Sequence, residues 1–336
     1  MRTTIVVHPR FDEIWPFAAD RLLQLLQPIT EVALTRLEPG AAHAGDPSAE
    51  RLFWLGAALD AAVLDGFPAV REVFSTEGYR SNAETNALLE DRGIRRIDHG
   101  SEGYWAQSVS EFALGLTIGA LRRIPQTHHA MLTDLGAWDY PAEQFGDDPA
   151  FASGTVEGKR VRIVGAGNIA SRYASFVHML GADVAAWDPF ASDPSFHRAG
   201  SRREYSLERL PLDAEIFAPM VPLTPSTEGI VTAEVIRSLP IGCLVVLATR
   251  ARVCDVPELR RRVLADELSL AADVFDLEPV PLDDPLLGRH NVVHTPHNAG
   301  RTIDSNLRWA ELLAAQLEEF DPATVPAAVR PRESAR

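Results

Sequence analysis

Short apolar and β-branched runs recur through the second half of the chain, VRIVGAG, DVAAWDP, EIFAPMV, CLVVLAT, LSLAADVF and NVVHTP, each separated from the next by a stretch with helical spacing. Strands alternating with helices predict an α/β architecture with a parallel, doubly wound sheet covered on both faces. In the first hundred residues TIVVHP, EVALTRL, VREVFST and IRRIDHG read as strands and FAADRLLQLLQ as an amphipathic helix, which predicts a smaller α/β domain. WAQSVSEFALGLTIGALRRIPQ, residues 105–126, keeps helical spacing over several turns, enough to bridge two domains or meet a second subunit, with core packing as the plainer reading. IDSNLRWAELLAAQLEEF follows the last strand and is expected to return to the first domain. The segments 38–50 and 321–336 are rich in Gly, Pro, Ala and Asp or resemble a frayed tail, and carry no expected function.

With 336 residues and 46% hydrophobic content the chain can fill two cores. A formal net charge of -15, with no basic stripe to offset it, argues against nucleic acid as a partner. No apolar run approaches the roughly 20 residues that span a bilayer, and MRTTIVVHPRF lacks the apolar region of a signal peptide, so a cytoplasmic location away from membranes is expected. Cys243 and Cys254 lack metal-site spacing and read as free thiols, so no metal is expected. Lys159 is the sole lysine, which leaves little room for Schiff-base chemistry or a Tyr-x-x-x-Lys pair.

Residues 161–189 form a strand, a glycine turn, a helix and a second strand ending in an acid. Gly165 permits the tight turn, Gly167 lets backbone approach a pyrophosphate at the helix N-terminus, and Ala170 takes the third small position. Asp188 stands where a carboxylate accepts ribose hydroxyls and repels a 2'-phosphate, which favours NAD over NADP. The motif starts well inside the chain, so a separate substrate domain is expected to precede it.

Ligands of doubly wound sheets bind beyond the carboxyl ends of the strands. Those ends carry Arg250, the segment Asp273 to Glu278, and His297. A guanidinium fork can grip the carboxylate of a 2-oxo acid and polarise its carbonyl. Hydride arriving at that carbonyl generates an alkoxide that needs a proton, and imidazole is the side chain that titrates near neutrality. A neighbouring carboxylate, here Glu278, favours the charged imidazole and orients it. Taken singly, each residue also fits a plainer role: a surface charge, a turn acid, a helix-capping histidine. His294, within the strand, reads as packed or facing away from the cleft.

Together GAGNIA with Asp188, PLTPST (222–227), ATRARVCDVPEL (248–259), AADVFDLEP (271–279) and TPHNAG (295–300) resemble the D-isomer-specific 2-hydroxyacid dehydrogenase family over roughly residues 70–310. The resemblance implies a Rossmann-type cofactor domain, residues 104–300, between the two parts of a flavodoxin-like substrate domain, residues 1–103 and 301–336, with cleft closure during turnover and a homodimer. It places the catalytic arginine, glutamate and histidine on Arg250, Glu278 and His297. Asp273 matches the aspartate that contacts the nicotinamide carboxamide, and Asn168, Ile169, Val221, Ala248 and Gly300 match other NAD-binding positions. The substrate, a small anionic 2-oxo or 2-hydroxy acid, would be held by Arg250 and by the loop 75–82 with Gly78 and Tyr79. Glu77, Tyr79 and Arg80 in that loop, and Met220, Leu247 and Ala251 elsewhere, depart from the family's pattern and leave the substrate open. Two further readings stand beside the dehydrogenase: oxidation of another anion such as phosphite, and an NADH-sensing, corepressor-like binding protein on the same fold.

Overall fold

A computed structural model describes residues 1–41, 45–76, 83–99, 103–133 and 146–318. The chain divides into two compact units, Met1–Tyr104 with Arg301–Arg336, and Trp105–Gly300.

In the first unit β1 (Thr3–Val7), β2 (Val32–Arg36), β3 (Arg51–Leu55), β4 (Glu72–Thr76) and β5 (Arg95–Arg96) form one parallel sheet in the order β2-β1-β3-β4-β5. This is the flavodoxin-like order. β3 was not among the expected strands. It is buried at every position, so it has no polar alternation to betray it, and even Arg51 is covered, its Nε donating to Glu72 at 2.6 Å. The helix Ile303–Ala314 packs against the helix Ala18–Leu26. Arg21 reaches Glu311 at 2.8 Å, and the Asn306 amide donates to the Pro16 carbonyl at 2.9 Å. Trp309 of the same helix meets Phe11, Phe74 and His99, with ring centroids 5.3, 5.7 and 5.0 Å away.

The second unit holds β6 (Arg160–Val164), β7 (Asp183–Trp187), β8 (Arg202–Arg203), β9 (Ile216–Pro219), β10 (Leu244–Leu247), β11 (Ser269–Ala272) and β12 (Val292–His294). All pair in parallel, in the order β12-β11-β10-β9-β6-β7-β8. Alternate residues face opposite ways. Leu244 and Val246 join one core with Val109, Ala113, Tyr173 and Val177, whereas Val245 and Leu247 join the other with Val235, Ile236, Leu259 and Val263. The expected helix over 105–126 is two helices, Ala106–Leu121 and Ile124–Thr133. Pro125 cannot continue a helical hydrogen-bond ladder, and the chain restarts through Arg123 at φ +51°. The first of the two spends its buried face inside this unit, its Thr117 hydroxyl 2.8 Å from the Tyr173 hydroxyl. Among the described residues no helix is long and apolar enough to cross a membrane.

Candidate active site

Because the seven strands run parallel, their carboxyl ends share one rim, and the strand order reverses between β6 and β9. That switch point is where doubly wound sheets bind ligands. The glycine turn follows β6. Gly165 has φ +110°, and a Cβ there would stand 2.9 Å from the Met220 carbonyl oxygen and 3.1 Å from Val221 Cγ1, so no larger residue fits. Gly167 is different: no heavy atom lies within 4 Å of where its Cβ would stand. It precedes the helix Asn168–Met179, which no side chain caps among the described residues. Asn168 and Ile169 open that helix, and Ala170 is buried behind them. The turn thus leaves an open approach to a helix N-terminus, an arrangement suited to a phosphate.

At the end of β7 the Asp188 carboxylate accepts the N–H groups of Ala166 at 2.8 Å, Phe190 at 2.9 Å and Ala191 at 3.1 Å. It thereby ties the glycine turn to the following loop, and it stays half-buried with part of its acceptor capacity free for hydroxyls. Val221 and Ala248 follow β9 and β10, and Gly300 lies where an added Cβ would come within 3.5 Å of Trp105. Glycine turn, open helix end and neighbouring carboxylate together fit a dinucleotide.

Beyond β12, His297 Nδ1 lies 2.7 Å from Glu278 Oε2. The other carboxylate oxygen of Glu278 accepts the Phe275 N–H at 2.8 Å, so the acid is held from both sides. The imidazole is 42% exposed, which leaves it open to a substrate. Arg250 follows β10, two strands from β12 and so about 10 Å across the sheet. Its side chain is exposed, and Nη1 donates to the Thr249 carbonyl at 2.6 Å. The structure thus pairs Glu278 with His297 directly and sets Arg250 on the same rim. His294 is exposed rather than packed.

Asp273 has partners that strand-end reasoning did not anticipate. It is fully buried, and its carboxylate accepts the Thr295 hydroxyl at 2.6 Å, the Asn298 N–H at 3.0 Å and the Ala299 N–H at 2.9 Å. The one signal for this was an acid closing the otherwise apolar run LSLAA. Gly78 and Tyr79 lie outside the described residues.

Comparison with known proteins identifies the family and the fold. The NAD binding domain model of the D-isomer specific 2-hydroxyacid dehydrogenases matches residues 114–299. A glyoxylate reductase of Thermofilum pendens is 31% identical over 280 residues, covering 80% of this chain and 78% of its own. A hydroxypyruvate reductase of Blautia hydrogenotrophica is 29% identical over 219 residues, covering 65% and 66%. Among solved structures, a D-lactate dehydrogenase of Treponema pallidum superposes with a TM-score of 0.71 at 20% identity, over 92% of this chain and 93% of its own, a likeness of fold. A family match over more than half of the chain, together with a relative above 30% identity across four-fifths of it, establishes that the chain belongs to the D-isomer specific 2-hydroxyacid dehydrogenase family of nicotinamide-dependent oxidoreductases.

Proposed function

We propose that the protein reduces a small 2-oxo acid to the D-2-hydroxy acid, and catalyses the reverse oxidation, with NAD as its cofactor. The observation that carries this reading is the 2.7 Å pair of His297 and Glu278 on the rim that also bears the glycine turn. Bound there, the nicotinamide would supply or accept the hydride at C2 of the substrate. Gly165, Gly167, Asn168 and Ile169 would hold the pyrophosphate and Asp188 the ribose hydroxyls, with Val221, Ala248 and Gly300 lining the site. A 2'-phosphate would meet the Asp188 carboxylate, which is the reason for preferring NAD.

The chain's own groups handle the proton and the charge. With Nδ1 engaged by Glu278, the imidazole presents Nε2 to the substrate and delivers its proton to the carbonyl oxygen as negative charge develops there. Glu278, itself held by the Phe275 N–H, keeps the ring in register. Arg250 uses its planar donors to hold the substrate carboxylate and polarise the carbonyl beside it. Glyoxylate and hydroxypyruvate, named in the relatives, head the substrate panel.

The test is oxidation of NADH with that panel, on the native chain and on His297→Ala. Turnover on at least one 2-oxo acid is expected, falling by about 10²- to 10⁴-fold in the variant while NADH binding, measured by fluorescence titration, is retained. Wild-type rates in His297→Ala would refute the acid–base assignment. Tight NADH binding with no turnover on any acid or on phosphite would favour the sensor reading instead.

A further inference from the structure

His297 adopts φ +53°, in the left-handed region that an L-residue with a bulky ring enters at a cost of about 1 to 2 kcal/mol. The two residues after it, Asn298 and Ala299, aim successive backbone N–H groups at a single carboxylate, that of Asp273. Consecutive N–H groups converge on an anion when the backbone passes through a left-handed residue, forming a small anion-binding concavity. Here the anion is supplied by the protein itself. Thr295, on the other side of Pro296, adds its hydroxyl to the same carboxylate.

All three donors therefore come from the segment 295–299 that carries His297, and the acceptor is a fully buried acid at the end of β11. The Asp273 N–H donates to the Leu247 carbonyl at 2.8 Å, so the acid, one residue past β11, is tied to the sheet. Five residues further along the same strand exit, Glu278 takes the imidazole Nδ1. One strand end thus fixes both the main chain of His297, through Asp273, and its ring, through Glu278.

We infer that Asp273 is a positioning residue, whose carboxylate folds the 295–299 turn into the one conformation that presents the His297 ring to Glu278 and to the substrate. The inference rests on the proposed acid–base role of His297. Misplacing a reacting group by about 1 Å can cost on the order of 100-fold in rate, so Asp273→Asn, which keeps the size and loses the charge, is expected to lower kcat by that order. The KM for the 2-oxo acid should change by less than about threefold, and kcat is compared at saturating NADH because the family resemblance also sets Asp273 against the nicotinamide carboxamide.

Three measurements separate this from a structural or cofactor-contacting role. In Asp273→Asn without cofactor, amide hydrogen exchange should accelerate within 295–299 and stay unchanged in β6 and β9. In the His297→Ala background, adding Asp273→Asn should alter the residual rate by less than about twofold, since a residue acting through His297 has nothing left to act on. Thr295→Val, which removes one donor and leaves the carboxylate, should lower kcat by a few-fold in the native background alone, and it decides the matter if Asp273→Asn does not fold. Equal losses in both backgrounds, or a loss of NADH affinity that accounts for the fall in rate, would overturn the proposal. If His297→Ala itself turns over normally, the acid–base reading fails; if only His297→Ala is slow and Asp273→Asn is not, the positioning role fails alone.

Discussion

Acid should loosen the first unit through the half-buried imidazole of His99. His99 is held in an aromatic box, its ring 5.0 Å from Phe74, 5.3 Å from Tyr104 and 5.0 Å from Trp309 by centroids. Burial pushes its pKa down from 6.5 to about 4, against smaller opposing effects of Asp98 and of a hydrogen bond to the Trp309 main chain. Nε2 is buried with no hydrogen-bond partner among the described residues, so a proton there would add an N–H with no acceptor. Below 6.5 the unfolded chain takes up a proton that the folded box refuses until about 4, so this contribution to stability is complete above 6.5 and is withdrawn as pH falls toward 4. At about 1.4 kcal/mol per pKa unit the whole shift is worth roughly 3 kcal/mol, of which about 2 kcal/mol is lost between pH 7 and pH 5. His99→Phe keeps an aromatic ring in the box and cannot titrate. Urea unfolding followed by tryptophan fluorescence at the two pH values should show the native protein losing about 2 kcal/mol more than the variant. Other titrating groups contribute to both proteins and cancel in the difference. Parallel losses would refute the reasoning and mean that the box admits a charged ring.

Two further outcomes follow from geometry described above. Asp188→Ala should lower the ratio of kcat/KM with NADH to that with NADPH by about 10- to 100-fold, the worth of hydrogen bonds to a charged group; an unchanged ratio would remove Asp188 from cofactor selection. Asp213→Ala should cost about 2 kcal/mol in thermal or urea unfolding. It strips the Arg162 guanidinium, 3% exposed, of bonds at 2.7 and 2.8 Å and leaves Asp183 as its remaining carboxylate. The estimate sits below that for a fully buried pair because the Asp213 side chain is 54% exposed. A cost under about 0.5 kcal/mol would show that solvent takes over the role of the lost carboxylate.

Much of the second unit was legible from residue order because six of its seven strands are short apolar runs, whereas β8, the pair Arg202–Arg203, has no such run to mark it. Gly165 could be read as a tight turn, and the Met220 carbonyl behind it supplies the steric reason. The pairing of Glu278 with His297 was legible because chemistry demanded a carboxylate beside the imidazole and the neighbouring strand end offered one. Asp273 resisted this kind of reasoning: its burial depends on how Thr295 to Ala299 wrap around it, a fact of three dimensions that no spacing encodes. β3 escaped because a strand covered on both faces loses the alternation that marks a half-buried one. The break at Arg123 was written in Pro125, but continuous apolar spacing on both sides masked it.

Because the helix Ile303–Ala314 completes the unit that the first hundred residues begin, the order in which the chain leaves the ribosome matters. Until that helix exists, Phe11 and Phe74 lack Trp309 and Arg21 lacks Glu311. The contiguous stretch Trp105–Gly300 emerges meanwhile, over roughly 10 to 40 s at ordinary rates of synthesis. It carries its own sheet and both of its cores. The middle of the polypeptide is thus able to reach its native state while the beginning still waits for the end, the reverse of the usual N-terminal-first sequence of events.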